Sequence, residues 1–293
     1  MPIDWNATHQ RAIECLRKEL CPIHYRTLYE RACVGLPDDY SPKTDPAEKL
    51  RQRYAERNHP PIVVVSGGML ALNYWFPFNH QPQLIGPYTD LKIPGNAVTA
   101  YGAGYEYAQR EPHLYDRYSD RQTRKRYLRR RDAFLFESHV RAYYRDRWPQ
   151  FYLPPSNEGE YDKPARDDFS IRLPGCTKIQ IDTKTESFEK NGLGQAMLQT
   201  IEPSIIYIIG VWDNDENCAF VKGIISGRWL RSVAGLHDHE FISEGQLMSY
   251  EVLSVMLNMA QRGQSYVAAF RDVSQKYAAL RTCTSQARGG LGV

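Results

Sequence analysis

Two short runs of alternating apolar and polar residues, joined by a Pro-Gly turn, constrain the fold of this chain more than any other feature. The first run is "DDFSIRL", residues 167 to 173, and the second is "KIQIDTKT", residues 178 to 185. Side chains alternate between the two faces of a strand, so the isoleucines mark a core face while Asp182 and Lys184 lie opposite. The pattern predicts a β-hairpin with one buried and one polar face.

The predicted hairpin brings Asp168 close to Asp182. Two converging carboxylates repel each other unless a divalent cation lies between them, and such oxygen ligands suit Mg²⁺, with Mn²⁺ as a substitute. Lys184 would lie beside the metal, where it can orient or help to deprotonate a water and offset charge on a phosphate. The alternation alone also allows a surface strand in which Asp182 and Lys184 form an ordinary ion pair.

A helix is predicted upstream, over residues 131 to 148, because apolar residues recur there at helical spacing. They are Ala133, Phe136, Val140 and Tyr144. Glu137 falls within the same stripe. A carboxylate in that position is costly to bury alone, so Glu137 either reaches solvent at the helix edge or lines a site that holds a cation.

This order of elements resembles the PD-(D/E)xK nuclease superfamily over about residues 132 to 225. Glu137 resembles the acid on the helix of that family, Asp168 its first motif aspartate, and Asp182 and Lys184 its Asp-x-Lys element. The resemblance implies a Mg²⁺-dependent DNA endonuclease in which Glu137, Asp168 and Asp182 hold the metal.

The rest of the motif matches with one departure. The stretch "LGQAMLQTI" is expected to form the next helix, in which Gln195 resembles a glutamine that some members carry, before the apolar strand "SIIYIIGVW". The proline that precedes the first aspartate in the family is absent, and Asp167 is an alternative ligand there.

The N-terminal part has the pattern of three short helices and a hairpin. Helices are predicted for residues 9 to 20, with Thr8 as N-cap, and for residues 24 to 32 and 47 to 58. The segment "IVVVSGGMLAL" reads as two strands joined by a Ser-Gly-Gly turn. These are the elements of a winged helix-turn-helix, whose third helix conventionally enters the DNA major groove.

Residues 8 to 76 also resemble the HARE-type helix-turn-helix family, through the block His24-Tyr25-Arg26 and the glycine-turn wing "VVVSGGMLALNYWF". The resemblance implies DNA contact. The candidate contact residues in this region are His24, Tyr25, Arg26, Lys49, Arg51, Arg53 and Arg57. The glutamates that alternate with these cations on the third helix also allow a solvated charged face.

A second basic cluster lies in "RYSDRQTRKRYLRRR", residues 117 to 131, which has eight Lys and Arg residues with two interleaved tyrosines. The whole chain carries a net charge of only +3, so binding to nucleic acid has to depend on such local clusters. The candidate phosphate contacts are Arg124, Lys125, Arg126, Arg129 and Arg130.

The expected fold is α/β, with a restriction-endonuclease-like mixed sheet flanked by helices and preceded by a small winged helix-turn-helix domain. We expect the DNA-binding domain over residues 1 to 78, a linker or irregular lobe over 79 to 116, and the nuclease-like domain over 117 to 293. Cutting of both DNA strands by a protein with one site implies a homodimer or a partner protein.

Two other functions fit the same motifs. One is a DNA-binding regulator or scaffold with an inactive nuclease-like domain, and the other is a nuclease specific for RNA or branched structures. The six cysteines have neither metal-ligand nor disulfide spacing, and no apolar run approaches membrane length. We therefore expect a cytoplasmic protein that does not enter a membrane.

Overall fold

The computed structural model describes residues 3–35, 45–56, 61–76, 91–110, 121–155, 167–175, 178–185, 195–198, 202–228, 240–243 and 247–276. The chain divides into two compact units. Unit 1 is Met1–Ile85 together with Glu251–Val293, and unit 2 is Gly86–Tyr250. Helices and strands occur in both units, so the mixed α/β class is confirmed.

The helices and strands are numbered here in chain order. The helices are α1 Trp5–Glu19, α2 Tyr25–Ala32, α3 Pro46–Glu56, α4 Ala97–Arg110, α5 Arg121–Arg147 and α6 Glu251–Gln261. The strands are β1 Ile23–His24, β2 Ile62–Val65, β3 Met69–Leu72, β4 Leu91–Pro94, β5 Tyr152–Leu153, β6 Phe169–Ile171, β7 Ile179–Thr185, β8 Gln195–Leu198, β9 Ile205–Asp213, β10 Cys218–Ser226 and β11 Glu240–Ser243. Residues 266 to 276 are also helical.

Unit 1 contains the three N-terminal helices and the hairpin in the expected order. Strands β1, β3 and β2 form an antiparallel sheet in that spatial order. The β2–β3 turn contains Gly67 and Gly68 at φ of +73° and +74°, in the left-handed region where a side chain is strained. Leu16, Leu28 and Leu50, one from each helix, are buried in the core.

The predicted start of α1 is wrong. Asp4 is the N-cap, because its carboxylate accepts hydrogen bonds from the backbone N–H groups of Asn6 and Ala7, both at 3.0 Å. Thr8 lies one turn inside the helix and is buried. Its hydroxyl accepts from the backbone N–H of Val34 at 3.0 Å, so it holds the end of α2 instead of capping α1.

Helix α6 is part of unit 1, whereas its sequence position suggested the nuclease-like domain. The Glu251 carboxylate is buried and accepts hydrogen bonds from the Tyr74 hydroxyl and the Trp75 indole N–H, both at 2.7 Å. The Asn258 amide donates to the Leu20 carbonyl at 3.0 Å. A buried carboxylate needs such donors, and these two groups of contacts join α6 to the N-terminal helices and hairpin.

Unit 2 is built on a six-stranded mixed sheet in the order β4-β10-β9-β7-β6-β5. Only the β7–β9 pair is parallel, and the other neighbours are antiparallel. The predicted hairpin is confirmed as β6 and β7, with Phe169 opposite Ile181. Strands β8 and β11 form a separate antiparallel pair.

Helix α5 packs on one face of the six-stranded sheet. A Cβ at Gly210 would lie 2.6 Å from the Phe136 ring, so the glycine permits a close approach of α5 to β9. Near the C-terminal end of α5, the centroid of the Tyr144 ring lies 5.5 Å from that of the Phe169 ring on β6. Phe169 shares its face with Ile181, and therefore Asp182 and Lys184 lie on the face opposite α5.

Residues 91 to 110, the described part of the expected linker or irregular lobe at 79 to 116, have regular secondary structure. Within them the structure describes β4, which pairs with β10 at the sheet edge, and α4, which begins after an Asn96 N-cap. The Asn96 carboxamide accepts from the backbone N–H groups of Val98 and Thr99. Among the described helices, none is both long and apolar enough to cross a membrane.

Candidate functional site

Asp168 and Asp182 come together at the end of the hairpin away from its turn, where Asp168 directly precedes β6 and Asp182 follows Ile181 in β7. One Asp168 oxygen accepts two hydrogen bonds from Thr183, at 2.7 Å from its backbone N–H and 2.6 Å from its hydroxyl. The Asp168 backbone N–H donates to the Ile181 carbonyl at 2.9 Å. These bonds fix the Asp168 carboxylate beside the strand that carries Asp182.

The Asp182 carboxylate is largely enclosed, with only 17% of its side chain exposed. Burial, together with the negative charge of Asp168, raises the Asp182 pKa to about 7, although Lys184 acts in the opposite direction. Two carboxyl groups that share an enclosed site in this way can hold a proton or a cation between them. The enclosed site therefore favours a positive counter-charge beside Asp182.

Lys184 is the counter-charge of this site. Its ammonium lies 2.9 Å from one Asp182 oxygen and 2.7 Å from the other. Burial alone would lower the Lys184 pKa, but the charges of Asp182 and Asp168 outweigh it and raise that pKa. Lys184 is consequently an ammonium at neutral pH, which suits charge stabilisation better than removal of a proton from water.

Asp167, the alternative ligand, has a different set of contacts. Its side chain is fully buried, accepts a hydrogen bond from the Ser170 hydroxyl and lies 3.3 Å from the Lys178 ammonium. Ser170 is part of β6, and Lys178 directly precedes β7. Asp167 therefore links the two strands of the hairpin, and its second oxygen has no hydrogen-bond partner among the described residues.

Tyr207 is a neighbour of the site that the sequence patterns did not identify. It lies on β9 in register with Asp182, and paired residues of adjacent strands share a face. The Tyr207 hydroxyl accepts a hydrogen bond from the Glu202 backbone N–H at 2.9 Å. The signal available in the sequence was a single tyrosine in the otherwise apolar run "SIIYIIGVW", where a buried hydroxyl requires a polar partner.

Glu137 is not brought into the aspartate pair. It lies on α5, which covers the other face of the sheet, and it forms an ion pair with Arg141 at 3.3 Å, one turn along the helix. Both side chains are more than four-fifths buried. In the part of the chain that the structure describes, no group of three or more His, Cys, Asp or Glu side chains is arranged to hold a metal.

Gln195 is the first residue of β8, and the predicted helix around it is wrong for residues 195 to 198. Ala, Met, Leu and Gln all favour helix, but these residues pair instead with β11, where Ser243 is opposite Gln195. Short segments follow tertiary pairing more readily than intrinsic propensity, because one or two helical turns have little stability of their own.

The two aspartates fit a hard divalent cation. Mg²⁺ is commonly held by one or two carboxylates and keeps several waters, so a pair of aspartates is a sufficient protein contribution. The raised Asp182 pKa reports that the site disfavours a second uncompensated negative charge. These two side chains are the residues that would hold the metal.

The His24-Tyr25-Arg26 block of unit 1 packs against the β2–β3 turn. A Cβ at Gly68 would lie 3.1 Å from the Tyr25 ring and 3.3 Å from the His24 imidazole, so both rings lie over the glycine. Arg26 is exposed over 64% of its side chain and lies 3.5 Å from Asp45. The two rings thus have a structural role in the hairpin, and Arg26 is the exposed member of the block.

The cations of α3 differ in their surroundings. Arg51 forms an ion pair with Glu48, and the Arg53 guanidinium lies over the Trp5 ring at 4.5 Å. Lys49 is exposed and has no ion pair among the described residues. Lys49 is therefore the α3 cation that is available to a phosphate, while Arg57 lies outside the described residues.

The second basic cluster lies mostly outside what the structure describes. The backbone of α5 is helical from Arg121, but the side chains of residues 121 to 130 are outside the described set. The contacts predicted for Arg124, Lys125, Arg126, Arg129 and Arg130 therefore stay predictions.

Comparison of the chain with known proteins finds no match: no protein family, no curated protein and no solved structure is significantly similar to it.

Proposed function

We propose that this protein is a Mg²⁺-dependent endonuclease that hydrolyses phosphodiester bonds in DNA, with its site at Asp168, Asp182 and Lys184. One observation carries the proposal. Two aspartates and a lysine converge in an enclosed site where burial and mutual repulsion raise the Asp182 pKa to about 7. Perturbed carboxyl groups of this kind are typical of catalytic and metal-binding sites.

The arrangement of unit 2 supports the resemblance to the PD-(D/E)xK superfamily. Helix α5 precedes a β6–β7 hairpin that carries Asp168, Asp182 and Lys184, and β9 then returns parallel to β7. That is the order of elements that the resemblance implies, with the exception of the segment at Gln195. The sheet has more strands than the β6, β7 and β9 set of the resemblance, because β4 and β10 extend it at one edge and β5 at the other.

Each side chain has a distinct part in the proposed reaction. Asp168 and Asp182 would hold the metal, which when bound polarises a phosphate oxygen and lowers the pKa of water. Thr183 orients the Asp168 carboxylate through its two hydrogen bonds. Lys184 stays protonated and offsets the negative charge that develops on the scissile phosphate.

The direct test offers duplex DNA, branched DNA and RNA in parallel, each with Mg²⁺, with Mn²⁺ or with a chelator. We expect metal-dependent cleavage, with duplex DNA cut best. Preferential cleavage of RNA or of branched DNA would instead indicate a nuclease that is specific for RNA or for branched structures. If DNA is bound but no substrate is cut under any condition, the protein is a DNA-binding regulator, a function that fits the absence of a third metal-ligating side chain from the described residues.

Unit 1 is proposed to bind DNA through α3. We expect Lys49→Ala to reduce the slope of log affinity against log salt concentration by about 1, and to weaken binding equally for different DNA sequences, since one phosphate contact is lost. The matched control is Arg31→Ala, which removes a cation already paired with Glu19 at 3.0 Å. An unchanged slope in Lys49→Ala would place the DNA on another surface.

Cleavage of both strands is proposed to need two copies of the site, and hence a homodimer or a partner protein. Light scattering behind gel filtration, with and without DNA, checks this point. A mass equal to the 33.8 kDa monomer in both conditions would contradict it.

A further inference from the structure

A second candidate site lies in unit 2, in a cavity of about 220 Å³ between α4, α5 and the turn that joins β9 to β10. Trp212 and Phe134 line it, together with Arg131, Asn214, Asn217 and Gly104. Trp212 faces α5, whereas Asp182 and Lys184 lie on the opposite face of the same sheet. The cavity is therefore separate from the aspartate site.

One wall of the cavity is aromatic and firmly held. The Trp212 ring is buried, and its centroid lies 4.6 Å from that of the His139 ring. His139 is itself fixed at both nitrogens, since Nε2 accepts from the Asn96 backbone N–H at 3.0 Å and Nδ1 bonds the Leu135 carbonyl at 2.7 Å. Trp212 is only 6% exposed and offers the cavity a small, rigid part of its ring, while the partly exposed Phe134 ring completes the aromatic wall.

The opposite part of the cavity is polar. The Arg131 Nη2 donates to the Asn214 side-chain oxygen at 2.9 Å and to Asp132 at 3.1 Å. Its Nη1 makes no hydrogen bond with any described residue, which leaves two N–H groups for a ligand. The carboxamides of Asn214 and Asn217 add donors and acceptors of the kind that pair with the edge of a heteroaromatic base.

Gly104 lines the cavity on its α4 side. A Cβ there would meet nothing within 4 Å, and its φ lies outside the left-handed region. The missing side chain leaves space that a ligand can use.

We infer that this cavity binds a single nucleotide, with the base against the aromatic wall of Phe134 and Trp212 and the phosphate at the Arg131 guanidinium. The volume is below the roughly 300 Å³ at which pockets for larger ligands begin, so the enclosed space suits one base better than a dinucleotide cofactor. Stacking on an aromatic ring and a guanidinium–phosphate contact are the two contacts that nucleotides commonly use. The nucleotide is either a free mononucleotide or one unstacked from DNA, and the site does not depend on hydrolysis at Asp168 and Asp182.

The first experiment is calorimetric titration of the full-length protein with each of the four deoxynucleoside 5′-monophosphates and with the matching nucleosides. We expect binding of at least one monophosphate, and about tenfold weaker binding to Arg131→Gln, because a charged hydrogen bond to the phosphate is lost. The nucleosides should bind wild type and Arg131→Gln alike.

The second experiment uses DNA duplexes that contain 2-aminopurine, without divalent cation. A rise in fluorescence on binding, absent in the pocket variants, identifies an unstacked base of DNA as the ligand. Binding of free monophosphates without such a rise identifies the free nucleotide.

The pocket variants have matched controls. Gly104→Leu fills the cavity and should abolish both signals, whereas Gly102→Leu makes the same change on the same helix at an exposed glycine with equal space around it and should abolish neither. Asn214→Ala, at an exposed turn position, should weaken binding several-fold without affecting the fold. The inference is overturned if neither free nor DNA nucleotides bind, or if Gly104→Leu binds them as wild type does. A loss of DNA cleavage without a loss of nucleotide binding would not contradict the inference.

Discussion

Asp182→Asn is expected to reduce the rate of Mg²⁺-dependent DNA cleavage by about 10³-fold or more, and Lys184→Met by about 10²- to 10³-fold. Asparagine keeps the shape of Asp182 but removes the negative charge that the metal requires. Methionine keeps most of the Lys184 stem but removes the ammonium, which lies within 3 Å of both Asp182 oxygens. Nicking of supercoiled plasmid, followed over time in excess Mg²⁺, measures both effects.

Two controls repeat the same chemical changes elsewhere in unit 2. Lys92→Met removes a half-exposed lysine that pairs with Glu216, and Asp146→Asn removes an exposed carboxylate next to Arg145. Both should cut at the wild-type rate, because surface ion pairs contribute little to stability or to a distant site. Equal cleavage by wild type, Asp182→Asn and Lys184→Met would refute the catalytic assignment.

The stability of the metal-free protein is expected to fall by about 2–3 kcal/mol between pH 5 and pH 8 because of Asp182 alone. The Asp182 pKa is raised to about 7 in the folded protein, against about 3.9 in an unfolded chain. Between these values the folded state binds more protons than the unfolded state, so stability is lost as pH rises through that window. The loss is complete only above about pH 8, because the Asp182 carboxyl of the folded protein is still half protonated at pH 7.

Chemical denaturation of wild type and Asp182→Asn over this pH range isolates the effect. His139, whose pKa burial lowers, contributes with the opposite sign, but it does so equally in both proteins and cancels in the difference. We expect Asp182→Asn to be the more stable protein at pH 8 and to lose its advantage near pH 4. Mg²⁺ should raise the unfolding midpoint of wild type at pH 8 and leave that of Asp182→Asn unchanged. If the free energies of unfolding of the two proteins differ by the same amount at every pH, Asp182 does not have the raised pKa that its burial and the charge of Asp168 predict.

The two experiments also support each other. An Asp182→Asn protein that is more stable at pH 8 than wild type and yet does not cut DNA has lost chemistry and not folding. A trade-off of this kind, in which a substitution raises stability and lowers activity, is expected where like charges are held close together for function.

Local patterns in the sequence were sufficient for the elements that carry their own signal. The β6–β7 hairpin follows from period-two alternation and a Pro-Gly turn, and the hairpin in turn places Asp168 beside Asp182. The three N-terminal helices follow from apolar spacing, and the β2–β3 turn from its glycines. In each case neighbours along the chain are also neighbours in space.

The tertiary structure alone decided what depends on distant partners. The resemblance to the nuclease superfamily made Glu137 a metal ligand, but the face on which α5 packs puts it on the other side of the sheet from Asp182. Gln195 lies in a strand because β11 pairs with it, and Tyr207 borders the site because β9 lies in parallel register with β7. The sequence alone determined which residues could form the aspartate–lysine site. Only the packing of strands and helices far apart in the chain determined which of them meet, because a single sequence contains no direct record of long-range contacts.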